Sequence, residues 1–246
     1  MTPAVDHHCS RLIFAPNSGA LTGAPHPNQL RRVREPVSRS KAGIQGKVAD
    51  LACGRSRHAE SQNELKAFQI LVATARADSW QEQPFTLEYH HAGAKHRYTP
   101  DALVVWGTER VVVEIKEDKE ADSIEGRARF SVIRERLAEH GYRFRLWKSS
   151  EIRAEPRSAN VGLILRYRCT TVAANQKALV RRAAAAQVDL RSLCDSTGVP
   201  VQNVLRLVLD GSLHIDWWKP VCLSSMIATD PIGRQEWPAP SAELSF

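Results

Sequence analysis

Apolar positions recur at helical spacing in some stretches of the chain and alternate with polar ones in others. Over residues 61–77 (SQNELKAFQILVATARA), Leu65, Phe68, Val72 and Ala75 form a stripe that predicts a helix. Ser61 and Glu64 stand at S-x-x-E capping-box spacing before it. Glu64 shares a face with Phe68 and Leu71, which sets it along the edge of the buried side. A capping residue needs no other role, and the helix alone gives Glu64 none. Residues 80–84 (WQEQP) read as a connector. Residues 84–91 (PFTLEYHH) alternate as a strand, Ala92-Gly93-Ala94 turns, and 95–106 is the returning strand. Pro100 sits awkwardly in that strand and predicts an edge, bulge or bend.

Gly107-Thr108-Glu109 makes the next turn and 110–116 the next strand. With Thr108 and Glu109 as the loop, 107 faces 110, Asp101 faces Lys116 and Leu103 faces Glu114. Side chains two apart share a face, so Asp101, Glu114 and Lys116 project to one side, opposed Cβ atoms lying about 5 Å apart. Residues 125–140 form a second helix with Phe130, Ile133 and Leu137 buried and Gly141 as its stop. Residues 142–147 alternate as a further strand. Helix, strands, helix, strand describes an α/β domain ending near residue 150.

Beyond 151 the pattern is helical. Residues 175–186 are alanine-rich and carry Arg181 and Arg182. Residues 190–196, a turn at Thr197-Gly198, and 200–209 resemble a helix-turn-helix, with Pro200 in the first turn and 211–217 as a wing. Only Gln202, Asn203 and Arg206 face outward on the second helix, a thin face for reading bases, which favours protein docking or generic DNA contact. Residues 228–246 read as a frayed end. Residues 1–58 show no sustained period, and recurrent Pro and Gly predict disorder over about the first thirty. The domain reading is a basic, largely irregular segment over 1–58, an α/β domain over 59–150 and a helical C-terminal domain over 151–246.

Charge sharpens the first of these. The formal net charge is +7. Residues 1–58 hold nine Lys/Arg against three Asp/Glu, so nearly all the excess lies there. Arg31, Arg32, Arg34, Arg39, Lys41 and Lys47 form a loose basic stretch suited to a phosphate backbone. A solvated tail accounts for the charge equally well. The five cysteines are scattered without a CxxC pair, which argues for a reducing cytosol and against a disulfide framework or zinc knuckle. His7-His8-Cys9 has metal-binding residue types but no fixed scaffold. No apolar run approaches the ~18 residues of a membrane span, and the first residues lack a signal-peptide pattern.

Carboxylates converging with a lysine suit phosphodiester hydrolysis, since hard oxygen ligands hold Mg²⁺ and a nearby ammonium can orient water or offset developing charge. An isolated E-x-K is common by chance. Here Pro100-Asp101 precedes Glu114-Ile115-Lys116 with two strand-like runs between, and a helical Glu64 comes earlier.

The ordered set of Ser61 and Glu64, Gln83-Pro84, Tyr98 to Asp101 (YTPD) and Glu114 to Lys116 (EIK) resembles the TnsA-like transposon endonucleases of the PD-(D/E)xK restriction-endonuclease-like superfamily. The GRARF helix (Gly126 to Phe130) and Glu151-Ile152 are similar as well. The likeness covers about residues 31–150 and continues more weakly beyond. It implies a restriction-endonuclease-like mixed sheet flanked by helices, followed by a small winged-helix-like domain. It implies Glu64, Asp101 and Glu114 as metal ligands, the main-chain carbonyl of Ile115 completing the site, and Lys116 as the catalytic lysine; Gln83 matches a family position without an assigned role. The ion would be Mg²⁺, with Mn²⁺ as its alternative. The resemblance further implies a bacterial, cytoplasmic protein, nucleoid-associated when on DNA. It would cleave the non-transferred 5′ strands of transposon ends beside a TnsB-like DDE transposase and a TnsC-like AAA+ ATPase. A stand-alone restriction or repair nuclease and a non-catalytic DNA-binding adaptor are the rival readings.

Overall fold

The computed structural model describes residues 10–15, 30–33, 46–50, 54–74, 79–106 and 108–233. His7, His8 and Cys9 lie outside them. The chain groups into two compact units that interleave in sequence. One comprises 1–46, 60–64 and 77–151, the other 47–59, 65–76 and 152–246.

In the first unit the strands are β1 (Arg11–Ile13), β4 (Ser79–Glu82), β5 (Thr86–His91), β6 (Ala94–Tyr98), β7 (Ala102–Trp106), β8 (Glu109–Lys116) and β9 (Arg143–Lys148). They make two sheets, ordered β1-β5-β6 and β4-β7-β8-β9. The first is antiparallel; in the second only β8 and β9 run parallel. The β5–β6 turn places Ala92 and Gly93 at φ 49° and 75°, the positive values a tight two-residue hairpin needs. Of the edge, bulge or bend expected at Pro100, the structure shows the bend, between two strands rather than within one. The chain leaves β6 at Tyr98 and re-enters as β7 at Ala102, in the other sheet. Asp101 stands at that join.

Three differences from the sequence reading matter. Strand β4 occupies the stretch read as a connector and pairs with β7. Its polar content hid it: Gln81 and Glu82 are buried, with the Gln81 amide donating to the Glu82 carbonyl at 2.7 Å. Strand β1 falls in the stretch read as disordered, tied to β5 by Arg11 and Glu88 at 2.7 Å. Finally, Trp106 pairs with Glu109 and Leu103 with Val112, two residues from the expected register. Apolar alternation cannot tell registers two apart; the turn decides. Because the shift is even, every side chain keeps its face.

The helices α2 (Asp118–Ala121) and α3 (Ile124–Ala138) connect β8 to β9. The Ser123 hydroxyl caps α3 by accepting from the Gly126 N–H, and Gly141 at φ 76° follows its end. Phe130, Ile133 and Leu137 bury as the periodicity predicts. They join Leu30, Phe85, Leu87, Tyr89, Tyr98, Leu103, Val112, Tyr142 and Phe144 in one core.

Helix α1 (Gln62–Thr74) opens in the first unit and continues in the second. Ala67, Phe68, Ile70, Leu71 and Ala73 are buried, while Leu65 and Val72 of the expected stripe are half-buried. The second unit also holds β2 (Gly46–Asp50) and β3 (Arg55–Ala59), which pair with each other. Within that stretch the Arg57 guanidinium meets Asp50 at 3.0 Å, both buried. Later come α5 (Arg157–Ile164), a 3₁₀ turn at Leu165–Tyr167, α6 (Ala174–Ala183), β10 (Val188–Asp189), α7 (Leu190–Thr197), α8 (Val201–Leu209) and β11 (Met226–Ile227). The short helix α4 (Ser149–Ile152) spans the boundary between the units. Asp189 caps α7, and Gly198 at φ 65° ends it. β10 pairs with β11, and His214 bridges Ala228, so 226–228 are ordered. Asn160 is buried and holds the Trp217 and Lys219 carbonyls and the Val221 N–H through its amide. Among the described residues no helix is long and apolar enough to cross a membrane.

Candidate active site

Strand β8 brings Glu114 and Lys116 to one face, and the sheet-to-sheet join brings Asp101 beside them. Glu114 is 4% exposed. One of its oxygens accepts from the buried Tyr98 hydroxyl at 2.7 Å, and the other lies 3.3 Å from Lys116 Nζ. Asp101 Oδ2 accepts from the Ile115 N–H at 2.7 Å. That bond carries the β7–β8 ladder one step past Ala102, with a side chain in place of a carbonyl. An extended residue directs its N–H and C=O to the same side, so the Ile115 carbonyl also faces the Asp101 edge.

Glu64 enters from the first turn of α1. The Ser61 hydroxyl accepts from the Glu64 N–H at 3.1 Å and donates to its carboxylate at 3.0 Å, so the capping pair forms. The other carboxylate oxygen accepts from the Glu60 N–H at 2.8 Å. Asn63 donates to Glu117 at 2.7 Å, which ties the start of the helix to the residue following Lys116.

Electrostatics set these carboxyls apart from surface ones. Burial drives Asp101 well above the ordinary carboxylate range, and the charges of Glu114 and Glu64 push it further. Burial also raises Glu114, against the pull of Lys116 and the Tyr98 hydroxyl. Glu64 is raised by burial despite the Glu60 N–H and the Ser61 hydroxyl. Burial pulls Lys116 down, but Glu114, Asp101 and Glu120 outweigh it and the ammonium is held above its usual value. Glu120, on α2, lies 3.6 Å from Lys116 Nζ. The corner therefore sets the carboxyls of Glu64, Asp101, Glu114 and Glu120 against Lys116 and the charge of Arg129.

Among the described residues no three His, Cys, Asp or Glu side chains form a group placed to hold a metal ion. Glu114 and Glu64 both act on Asp101 through their charge, while the oxygens of Glu64 are engaged by its own helix start. The donor chemistry nonetheless fits a hard cation. Mg²⁺ takes one or two carboxylates, keeps several waters and accepts substrate phosphate. Asp101 and Glu114 supply two such carboxyl groups side by side.

Of the basic stretch, Arg31 and Lys47 are exposed. Arg32 is engaged: its guanidinium donates to Gln83 at 2.9 Å and to Glu60 at 3.1 Å. Arg34, Arg39 and Lys41 lie outside the described residues. Tyr98 as the partner of Glu114, Glu120 beside Lys116, and the Gln83 contacts were absent from the sequence reading. Tyr98 stands in the YTPD motif, but nothing in its spacing announces a hydrogen bond to a residue sixteen positions on.

Residues 75–149 match the family model described as TnsA-like endonuclease N terminal. Over that segment the chain is similar to TnsA-like endonucleases, as its ordered motifs led one to expect. The mixed α/β architecture is consistent with a restriction-endonuclease-like fold. Glu64 and Arg32 lie upstream of the matched segment; Asp101, Glu114 and Lys116 lie within it. No curated protein matches the chain.

Proposed function

We propose that the protein is a Mg²⁺-dependent DNA endonuclease, the subunit of a heteromeric transposase that cuts the non-transferred 5′ strands at element ends. The observation that carries this reading is the Asp101–Glu114–Lys116 corner, with Glu114 buried and the other two half-buried, inside a segment that matches an endonuclease domain. Asp101 and Glu114 would hold the ion, Mg²⁺ or Mn²⁺, with the Ile115 carbonyl and Glu64 completing its surroundings. Bound there, the ion would lower the pKa of a water and offset charge on phosphorus. Lys116, kept protonated by its neighbours, presents an ammonium to the attacking water or to the anionic phosphate. Tyr98 holds one Glu114 oxygen and leaves the other toward Lys116.

The C-terminal elements support a winged-helix-like reading: α6, β10, α7, α8, then a return strand at β11. Its base-reading face is thin. Asn203 donates to Gln176 at 3.0 Å, and Arg206 lies 4.0 Å from Asp210, which leaves Gln202 exposed. We assign this unit to partner docking or generic DNA contact, with site choice left to a TnsB-like DDE transposase and regulation to a TnsC-like AAA+ ATPase.

The test is excision of a plasmid-borne element by the assembled system with Mg²⁺. Asp101→Ala and Lys116→Ala should each abolish 5′-strand cleavage while complex assembly persists. Unchanged excision by either variant would make the protein an adaptor. Efficient cutting at defined sites by the purified protein alone would make it a stand-alone nuclease.

A further inference from the structure

Gln83 is the residue through which the two carboxylates outside β8 are held in common register. It is 6% exposed and takes φ 42°, a value a non-glycine residue adopts only where its surroundings enforce it. Its main chain is bonded on both sides: its N–H donates to the Asp101 carbonyl at 3.0 Å, and its carbonyl accepts from the Val33 N–H at 3.0 Å. Its side chain is bonded on both ends as well. The amide nitrogen donates to Glu60 at 3.1 Å, and the amide oxygen accepts from Arg32 at 2.9 Å. Arg32 in turn donates to Glu60 at 3.1 Å, closing a three-membered ring of contacts. Glu60 then donates its backbone N–H to Glu64 at 2.8 Å.

Read in sequence, these bonds run from Asp101 to Gln83, from Gln83 to Glu60 and from Glu60 to Glu64. Asp101 precedes the start of a strand and Glu64 lies at the start of a helix, and the Asn63–Glu117 bond ties that helix start to the end of β8 rather than to Asp101. The side-chain amide is suited to the link because it donates to the carboxylate and accepts from the guanidinium at once. Alanine does neither, and a carboxylate at 83 would meet Glu60 with like charge.

We propose that Gln83 is a positioning residue: with Arg32 and Glu60 it sets the distance between Asp101 and Glu64, and so the geometry in which a divalent cation is held. This rests on the metal-site reading above and adds to it a part for a residue that touches neither ion nor substrate. Residues that orient ligands in this way typically matter to metal affinity by about 10–100-fold.

The experiment is Mn²⁺ binding to the full-length protein, followed by electron paramagnetic resonance, with binding that survives in Asp101→Ala subtracted. Gln83→Ala should weaken the Asp101-dependent binding about 10-fold or more while the metal-free variant stays fully folded by circular dichroism at the temperature of the titration. Glu60→Ala breaks the same link from the other end and should weaken it similarly. The double variant should be no weaker than the worse single one, since both remove one connection. Gln83→Ala and Glu60→Ala binding Mn²⁺ as tightly as the unaltered protein would overturn the inference and leave the nuclease reading standing. So would weakening that tracks a loss of folded protein at that temperature, or that is strictly additive. If Asp101→Ala binds as the unaltered protein does, or neither binds, the metal-site reading itself fails and this one with it.

Discussion

Asp101 is where the chain accepts a cost in stability. Burial and two neighbouring carboxylates oppose its charge, and the Ile115 N–H and Lys116 only partly offset this. Neutralising it should therefore help the metal-free fold. Asp101→Asn keeps an acceptor for the Ile115 N–H and should melt higher than the unaltered protein at neutral pH in a chelating buffer. Adding Mg²⁺ should then raise the melting temperature of the unaltered protein and leave the variant unmoved, which differential scanning calorimetry reads directly. Tyr98 has the opposite sign. Its hydroxyl is the donor to a buried Glu114 oxygen, and Tyr98→Phe leaves that oxygen unpaired at a cost of about 1–3 kcal/mol. Urea unfolding should show the loss; an unchanged midpoint would mean that the hydroxyl is not a fixed partner of Glu114.

At the scale of elements, α2 and α3 brace the end of β8. Gly126 packs so tightly on α2 that a Cβ would overlap the Glu120 carbonyl oxygen. Gly126→Ala must push the elbow apart, costing about 1–3 kcal/mol and displacing Glu120 from Lys116. Chemical denaturation of the variant checks the size. On the other side, Asp118 accepts from the Ser149 and Ser150 hydroxyls and the Ser150 N–H, pinning α2 to the start of α4. Those bonds hold its carboxyl down at about 2, from an ordinary 3.8. A depressed carboxylate stabilises the fold above its unfolded value and loses that contribution as pH falls through the folded one. The melting-temperature gap between the unaltered protein and Asp118→Asn should accordingly be full above pH 3.8 and close as pH falls toward about 2.

Elements also show what a sequence can and cannot disclose. The shared face of Glu114 and Lys116 was legible from strand alternation, whereas Asp101 stands just outside β7 and reaches β8 through the Ile115 N–H. The register itself was not, since it depends on the turn. Glu64 was legible as a cap, and it is one; its field at Asp101 depends on where the helix start lies in space. β4 was missed because buried Gln81 and Glu82 imitate a loop. The contacts of Gln83 join residues up to 51 positions apart, two of them through main-chain atoms, and leave no periodic trace.

For the whole molecule, the interleaving of the two units matters most. Residues 47–59 and 65–76 group with 152–246 rather than with the strands that carry the site. The buried side chains Phe68, Ile70 and Leu71 belong to that second group. A fragment ending at residue 151 should thus expose apolar surface and lose cooperative unfolding in a circular-dichroism melt. A fragment that melts as sharply as the full chain would show the first unit to be self-sufficient.

The mixed sheet carries a consequence for biosynthesis. β7 and β8 are neighbours in sequence and form a hairpin, which closes in about 1–10 μs. β8 and β9 run parallel, with Glu114 opposite Leu146 and Lys116 opposite Lys148, so all of α2 and α3 must intervene before they meet. Non-local pairing of that kind is slow and arrives late. As the chain leaves the ribosome, Asp101, Glu114 and Lys116 emerge together, but the strand that backs them emerges only once residue 148 is out. A growing chain thus carries the acidic hairpin with one edge open. The last backbone partner of the strand that carries Glu114 and Lys116 is also the last strand of its sheet to be made.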